Sequence, residues 1–82
     1  MNTIKFEDYT PDMGVLISLV DEEDYVEEKG SINLKLSQIL DNPSKYLDKN
    51  KRYFFYCLKG SRSRRAVTIL GVYGYDVVKV IK

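Results

Sequence analysis

Two periods of hydrophobic and polar residues alternate along this chain, and each change of period marks an element boundary. Thr3-Ile4-Lys5-Phe6 reads as a short edge strand. Val15-Leu16-Ile17-Ser18-Leu19 is almost continuously apolar, as expected of a strand buried on both faces. Asp21 then reads as an N-cap, with Glu22, Glu23 and Asp24 in a first helical turn where the dipole favours acids. That helix is expected to stop by Lys29-Gly30. Ser31-Ile32-Asn33-Leu34 predicts a brief strand, and Ser37 a cap for a helix over Gln38 to Asp41. Asn42-Pro43 ends that helix and opens another turn, since proline is tolerated at a first helical position.

The second half is more sharply patterned. Arg52 to Tyr56 reads as the central strand, after a polar turn at Asp48-Lys49-Asn50-Lys51. Ala66, Ile69, Leu70 and Tyr73 recur at helical spacing and predict a helix from Ser63 to Tyr73 with one buried face, closed by Gly74. Val77-Val78-Lys79-Val80-Ile81 is a final β-branched strand. Strands alternating with helices predict an α/β fold, a small parallel-rich sheet with helices on both faces. Sites in such sheets lie at the carboxyl ends of the strands. No repeat or composition break divides residues 1–82, which read as a single domain.

Composition narrows the function classes. A 44% hydrophobic fraction with seven tyrosines and three phenylalanines supports a packed core and argues against disorder. A single cysteine excludes an internal disulfide framework. With no histidine beside it, no zinc or haem constellation is expected, and no metal or cofactor is called for. Nothing approaches the apolar run of a signal peptide or membrane span, so the expectation is a soluble cytoplasmic protein with a reduced thiol and no membrane partner.

Charge is unevenly distributed. The net charge is +1, yet residues 1–28 hold nine acids and one base, and residues 29–82 hold three acids and twelve bases. The halves are expected to attract each other within the fold, and the basic half to draw in an anionic partner.

The cations gather around the cysteine, in Cys57-Leu58-Lys59-Gly60-Ser61-Arg62-Ser63 with Arg64 and Arg65 behind. A lone cysteine is most often an inert buried residue that packs as a small hydrophobe. Here it stands between the end of a strand and the start of a helix, where free backbone N–H groups and the positive end of the dipole favour an anion. That position lowers a thiol's pKa and makes it a nucleophile.

These residues resemble the rhodanese-like domain family of sulfurtransferases. Tyr56-Cys57, Gly60, Arg62-Ser63 and Ala66 fit its active-site loop and following helix, whose usual form is C-R-x-G-x-R-S. Val15-Leu16-Ile17 through Tyr25, then Gly30-Ser31-Ile32-Asn33 with Leu36-Ser37, and Leu70, Gly74-Tyr75 and Val78 resemble weaker family patterns in the right order. The resemblance implies that Cys57 takes sulfane sulfur from a small anionic donor such as thiosulfate, or from a protein persulfide. Cys57 would hold it as a persulfide and pass it to a thiol or other nucleophilic acceptor. Leu58, Lys59, Gly60, Ser61, Arg62 and Ser63 would bind the donor, their amides lining the cavity. Arg62 would support the loop and offer a cation, and Ser63 would donate a hydrogen bond to the thiolate.

The chain departs from the family at several points. Ser18 and Val20 stand where aspartate and arginine are usual, Leu58 stands where arginine is common, and the glycine-histidine segment before Gly30 is shortened. Relatives also continue beyond the position of Lys82 into another helix, so a second copy of the chain or a partner protein is expected to cover an apolar surface. A catalytically weak binding or regulatory module is the alternative reading. Cysteine phosphatases of similar architecture place five residues between cysteine and arginine, and here there are four, which suits a sulfur atom better than a phosphate. Nucleic-acid binding is disfavoured, because a pair such as Arg64-Arg65 is more often a solvated helix face.

Overall fold

The computed structural model describes residues 1–82. Its strands are β1 (Thr3–Lys5), β2 (Val15–Ser18), β3 (Ile32–Asn33), β4 (Arg52–Tyr56) and β5 (Asp76–Ile81). They form one sheet in the order β1-β5-β4-β2-β3, and every neighbouring pair is parallel. β4 is therefore the central strand and β1 an edge, as the hydrophobic pattern predicts. Registers Leu16↔Phe54 and Phe54↔Val78 place apolar side chains in rows across the three middle strands.

The α-helices are α1 (Leu36–Asp41), α2 (Pro43–Tyr46) and α3 (Ser61–Val72). Side-chain alternation along β4 sorts the core into two layers. Tyr53, Phe55 and Cys57 join Ala66, Val67 and Leu70 of α3 in the larger, 12-residue cluster. Phe54 joins Tyr9, Leu16, Val78 and Val80 in a five-residue cluster on the opposite face. Helical cover exists on both faces but is unequal. The α-helices lie over the larger cluster, while the smaller is closed by the N-terminal segment, which carries 3-10 turns at Phe6–Asp8 and Pro11–Met13. Complete burial of Ile17, Ile39, Phe55 and Leu70 stabilises the larger layer, at about 1.5–3 kcal/mol for each side chain.

Three local expectations are corrected. The acidic stretch after Asp21 forms only a single 3-10 turn, Glu22–Asp24, and the Asp21 side chain caps nothing. A run of like charges weakens its own helix, and Asp21 is engaged elsewhere, by Arg62. α1 begins at Leu36 with Lys35 in the cap position, so Ser37 lies inside the helix rather than before it. α3 begins at Ser61, two residues earlier than the apolar spacing suggests, because its first turn is polar and carries no periodic signal. Its exit matches expectation: Gly74 N–H donates to the Gly71 carbonyl and Tyr75 N–H to that of Leu70, a Schellman pattern.

The N-terminal segment is latched by directed contacts. The Tyr9 hydroxyl donates to the Gly14 carbonyl at 2.6 Å. Burial and the neighbouring Asp12 carboxylate push its phenol above the ordinary range, keeping it a donor. The Lys29 ammonium donates to the Phe6 and Tyr9 carbonyls. Ion pairs Arg62–Asp21 and Lys82–Glu28 join the basic half to the acidic one. Both are exposed, and each is worth about 0–1 kcal/mol. No helix is long and apolar enough to cross a membrane.

Of the five glycines, Gly14 is the most closely approached. A Cβ placed there would stand 2.5 Å from the Arg52 carbonyl oxygen and 2.9 Å from the Phe54 ring, both in the central strand. Gly14→Ala is expected to cost about 1–3 kcal/mol of stability, the usual penalty of overpacking. Urea unfolding of the two proteins measures it, and an unchanged midpoint would show that β4 yields there freely.

Candidate active site: a sulfur at the N-terminus of α3

β4 carries the chain to Cys57, one residue past its last member, on the face shared by Tyr53 and Phe55. The residue is buried, at 7% exposure. The chain then turns through Leu58 and Lys59 to Gly60, the N-cap of α3, which holds the left-handed values φ 81°, ψ −10°. Glycine adopts them without steric cost, but it brings no side chain to accept a helical N–H.

The Cys57 sulfur fills that vacancy. Ser63 is the third residue of α3, where an N-cap side chain normally receives its hydrogen bond, and its N–H donates to Sγ at 3.3 Å. The fully buried Ser63 hydroxyl lies 3.5 Å from Sγ and 3.2 Å from the Gly60 carbonyl oxygen. With a neutral thiol, S–H donates to Ser63 Oγ and Oγ–H to that carbonyl. With a thiolate, Oγ–H is free to turn to sulfur.

Opposing effects set the acidity. Burial pushes the thiol up; the Ser63 hydroxyl and the backbone N–H groups of Ser63, Arg62 and Gly60 pull it down, and the result lies below the ordinary cysteine value. Of the six loop residues expected to aim their amides at the sulfur, Ser63 donates a hydrogen bond to it, and Arg62 and Gly60 add weaker favourable amides.

The remaining loop side chains diverge. Leu58 is 67% exposed and points to the opposite face of the sheet, into a pocket of about 220 Å³ shared with Tyr56, Ser18, Val20 and Phe6. Lys59 is exposed. Ser61, Arg62 and Arg65 border a groove of about 1200 Å³ whose floor includes Leu19, Leu34 and Leu36. Arg62 turns away from the sulfur: its Nη1 donates to the Leu19 carbonyl and to Asp21 Oδ1, each at 3.0 Å. It thus ties the first turn of α3 to the end of β2, and its guanidinium lines no phosphate cradle around Cys57.

Two further residues take part that sequence reasoning did not place. Asn33 Nδ2 donates to the Ser18 and Val20 carbonyls and braces the segment that Arg62 grips. It was visible only as a letter in a family-like stretch. Lys79 lies on β5 beside the loop, and a Cβ added to Gly60 would stand 3.2 Å from its Nζ. Its signal was a charge at an inward-facing position of a β-branched strand.

An acidic thiol with amides already oriented around it is suited to nucleophilic attack on an electrophilic sulfur and to holding the charge of the product. A family model for the Rhodanese-like domain matches residues 5–82. The fold is similar to that of a rhodanese-related protein from Thermoplasma volcanium, with a TM-score of 0.80 at 23% identity over 98% of this chain and 83% of that one. It is also similar to reduced CoADR-RHD of Bacillus anthracis, with a TM-score of 0.83 at 25% identity over 98% of this chain and 15% of that one. A NAD-dependent persulfide reductase from A. fulgidus gives a TM-score of 0.77 at 20% identity, over 100% of this chain and 15% of that one. No curated protein matches the chain.

Ser63→Ala removes one donor to the thiolate and leaves the backbone N–H in place. The pH midpoint of Cys57 alkylation by iodoacetamide is expected to rise, and the rate at neutral pH to fall. An unmoved midpoint would show that the amides alone set the acidity.

Proposed function

The chain belongs to the rhodanese-like domain family, and on that footing we propose that it is a sulfurtransferase or sulfur carrier whose working group is Cys57. The Cys57 thiolate attacks the sulfane sulfur of a donor. A new S–S bond forms while the donor's own bond to that sulfur breaks, and the leaving group departs with the electron pair (sulfite, when the donor is thiosulfate). Cys57 is left as a persulfide. An acceptor thiolate or other nucleophile then attacks the outer sulfur, and Cys57 leaves as thiolate, ready for another cycle.

The observation that carries this reading is the Ser63 N–H···Sγ contact at 3.3 Å, at the start of a 12-residue helix with no other cap. It supports a thiolate before loading, and the same donors favour the anionic persulfide afterwards. Gly60, Arg62 and Ser63 supply the amides, while Lys59 and Ser61 form the outer rim that meets the donor; Leu58, expected there too, faces the other side of the sheet. No step calls for a metal or a cofactor. The apolar pocket behind Leu58 is the surface a second copy or partner protein would cover.

Intact mass after exposure to thiosulfate, and separately to a protein persulfide donor, tests the reading. One added sulfur on the wild type and none on Cys57→Ser is expected. No gain from either donor would replace the enzyme with a binding or regulatory module.

Arg62→Ala is expected to slow sulfur loading by about tenfold, the kinetic equivalent of one charge-assisted hydrogen bond, because it frees the loop from Leu19. Arg65→Ala removes an exposed cation and is expected to change loading by less than about twofold. Equal losses, read from the rate of mass gain, would point to a diffuse basic surface.

A further inference from the structure

The loop that holds Cys57 supplies little directed positive charge of its own. Leu58 points to the other face of the sheet, Lys59 extends into solvent, and Arg62 is held by Asp21 and the Leu19 carbonyl. Arg64 and Arg65 are exposed on α3. The amides around the sulfur suit a thiolate, but a doubly charged donor also needs a full countercharge in reach.

β5 provides one. Val77 packs in the α3-facing cluster and Val78 and Val80 in the opposite one, so alternation sends the Lys79 side chain to the α3 face. Lys79 is in register with Phe55, and Cys57 lies two residues beyond Phe55 on that same face. The ammonium reaches the carboxyl end of the sheet and lies against Gly60, within 3.2 Å of where a Cβ would stand. Lys79 is half-buried, and its ammonium forms neither an ion pair nor a side-chain hydrogen bond. The ammonium is therefore a cation beside the loop that no carboxylate of the fold neutralises.

We infer that Lys79 is the cation that draws an anionic sulfur donor to Cys57 and orients it, a specificity-determining residue contributed by the neighbouring strand rather than by the loop. The inference rests on the sulfur chemistry proposed above for its purpose. Its test does not use sulfur transfer, so the two fail separately.

Alkylation of Cys57 by iodoacetate, an anion, is compared with alkylation by neutral iodoacetamide at one pH. The thiolate fraction cancels in the ratio of the two rates, which leaves the local preference for an anion. The wild-type ratio is expected to exceed that of free cysteine. Lys79→Met, which keeps the stem and loses the charge, is expected to lower it by about fivefold, as for one charge a few ångströms from an anion in polar surroundings. Lys79→Arg is expected to preserve it, and added salt to lower it in the wild type. A wild-type ratio no higher than that of free cysteine overturns the inference without any variant. So does a high ratio that survives in folded Lys79→Met. If Lys79→Met does not fold, Lys79→Gln decides the same point.

Discussion

An uncapped helix start and a buried sulfur satisfy each other in this fold. α3 opens on Gly60, whose left-handed conformation lets the chain reverse tightly after β4 but leaves the first amides of the helix without a side-chain acceptor. Buried amides need a partner, and Cys57 Sγ supplies it. The sulfur in turn is buried against Phe55 and Ala66, where an anion would otherwise be disfavoured. Neither half of the arrangement is satisfied alone, which is why the acidity of the thiol and the geometry of the turn are one property.

The rest of the fold serves to hold that contact. β4 is the middle strand of five, flanked by β2 and β5 in parallel register, so the point from which Cys57 leaves the sheet is fixed from both sides. Arg62 and Asn33 converge on the segment just after β2, one from α3 and one from β3, and the Leu19 N–H continues the ladder to the Tyr56 carbonyl at 2.8 Å. The turn is thereby tied to its neighbour on one side. On the other, Lys79 of β5 lies against Gly60. Helix, loop and two strands meet within a few residues of the sulfur.

Most of the architecture was legible in the sequence because it depends on runs of apolar residues. Residues 15–19 and Arg52–Tyr56 were readable as buried strands, and the spacing of Ala66 and Leu70 located the buried face of α3, whereas Tyr73, expected on that face, lies past the helix end and is exposed. Polar segments depart from their local pattern where tertiary contacts decide them. Asp21 resembles an N-cap in sequence, but it faces Arg62, forty-one positions away. Ser61 begins α3 although nothing apolar marks that turn. At the site, strand-turn-helix order was enough to locate Cys57 and Ser63, since both follow from local chain geometry. The direction of Arg62, the separation of Leu58 to the other face, and the approach of Lys79 all depend on which strands are neighbours, and the one-dimensional pattern does not carry that.

The central claim is that folding, by aligning α3 with Cys57, stabilises the thiolate. Titrating thiolate absorbance of the wild type in its folded state and again in urea, where α3 and its amides are dispersed, measures this directly in one molecule with one cysteine. The account predicts a lower midpoint for the folded protein than for the unfolded chain. Coincident midpoints, or a higher one on folding, would mean that burial outweighs the amides, and the sulfur would then be a packed core atom with no activation.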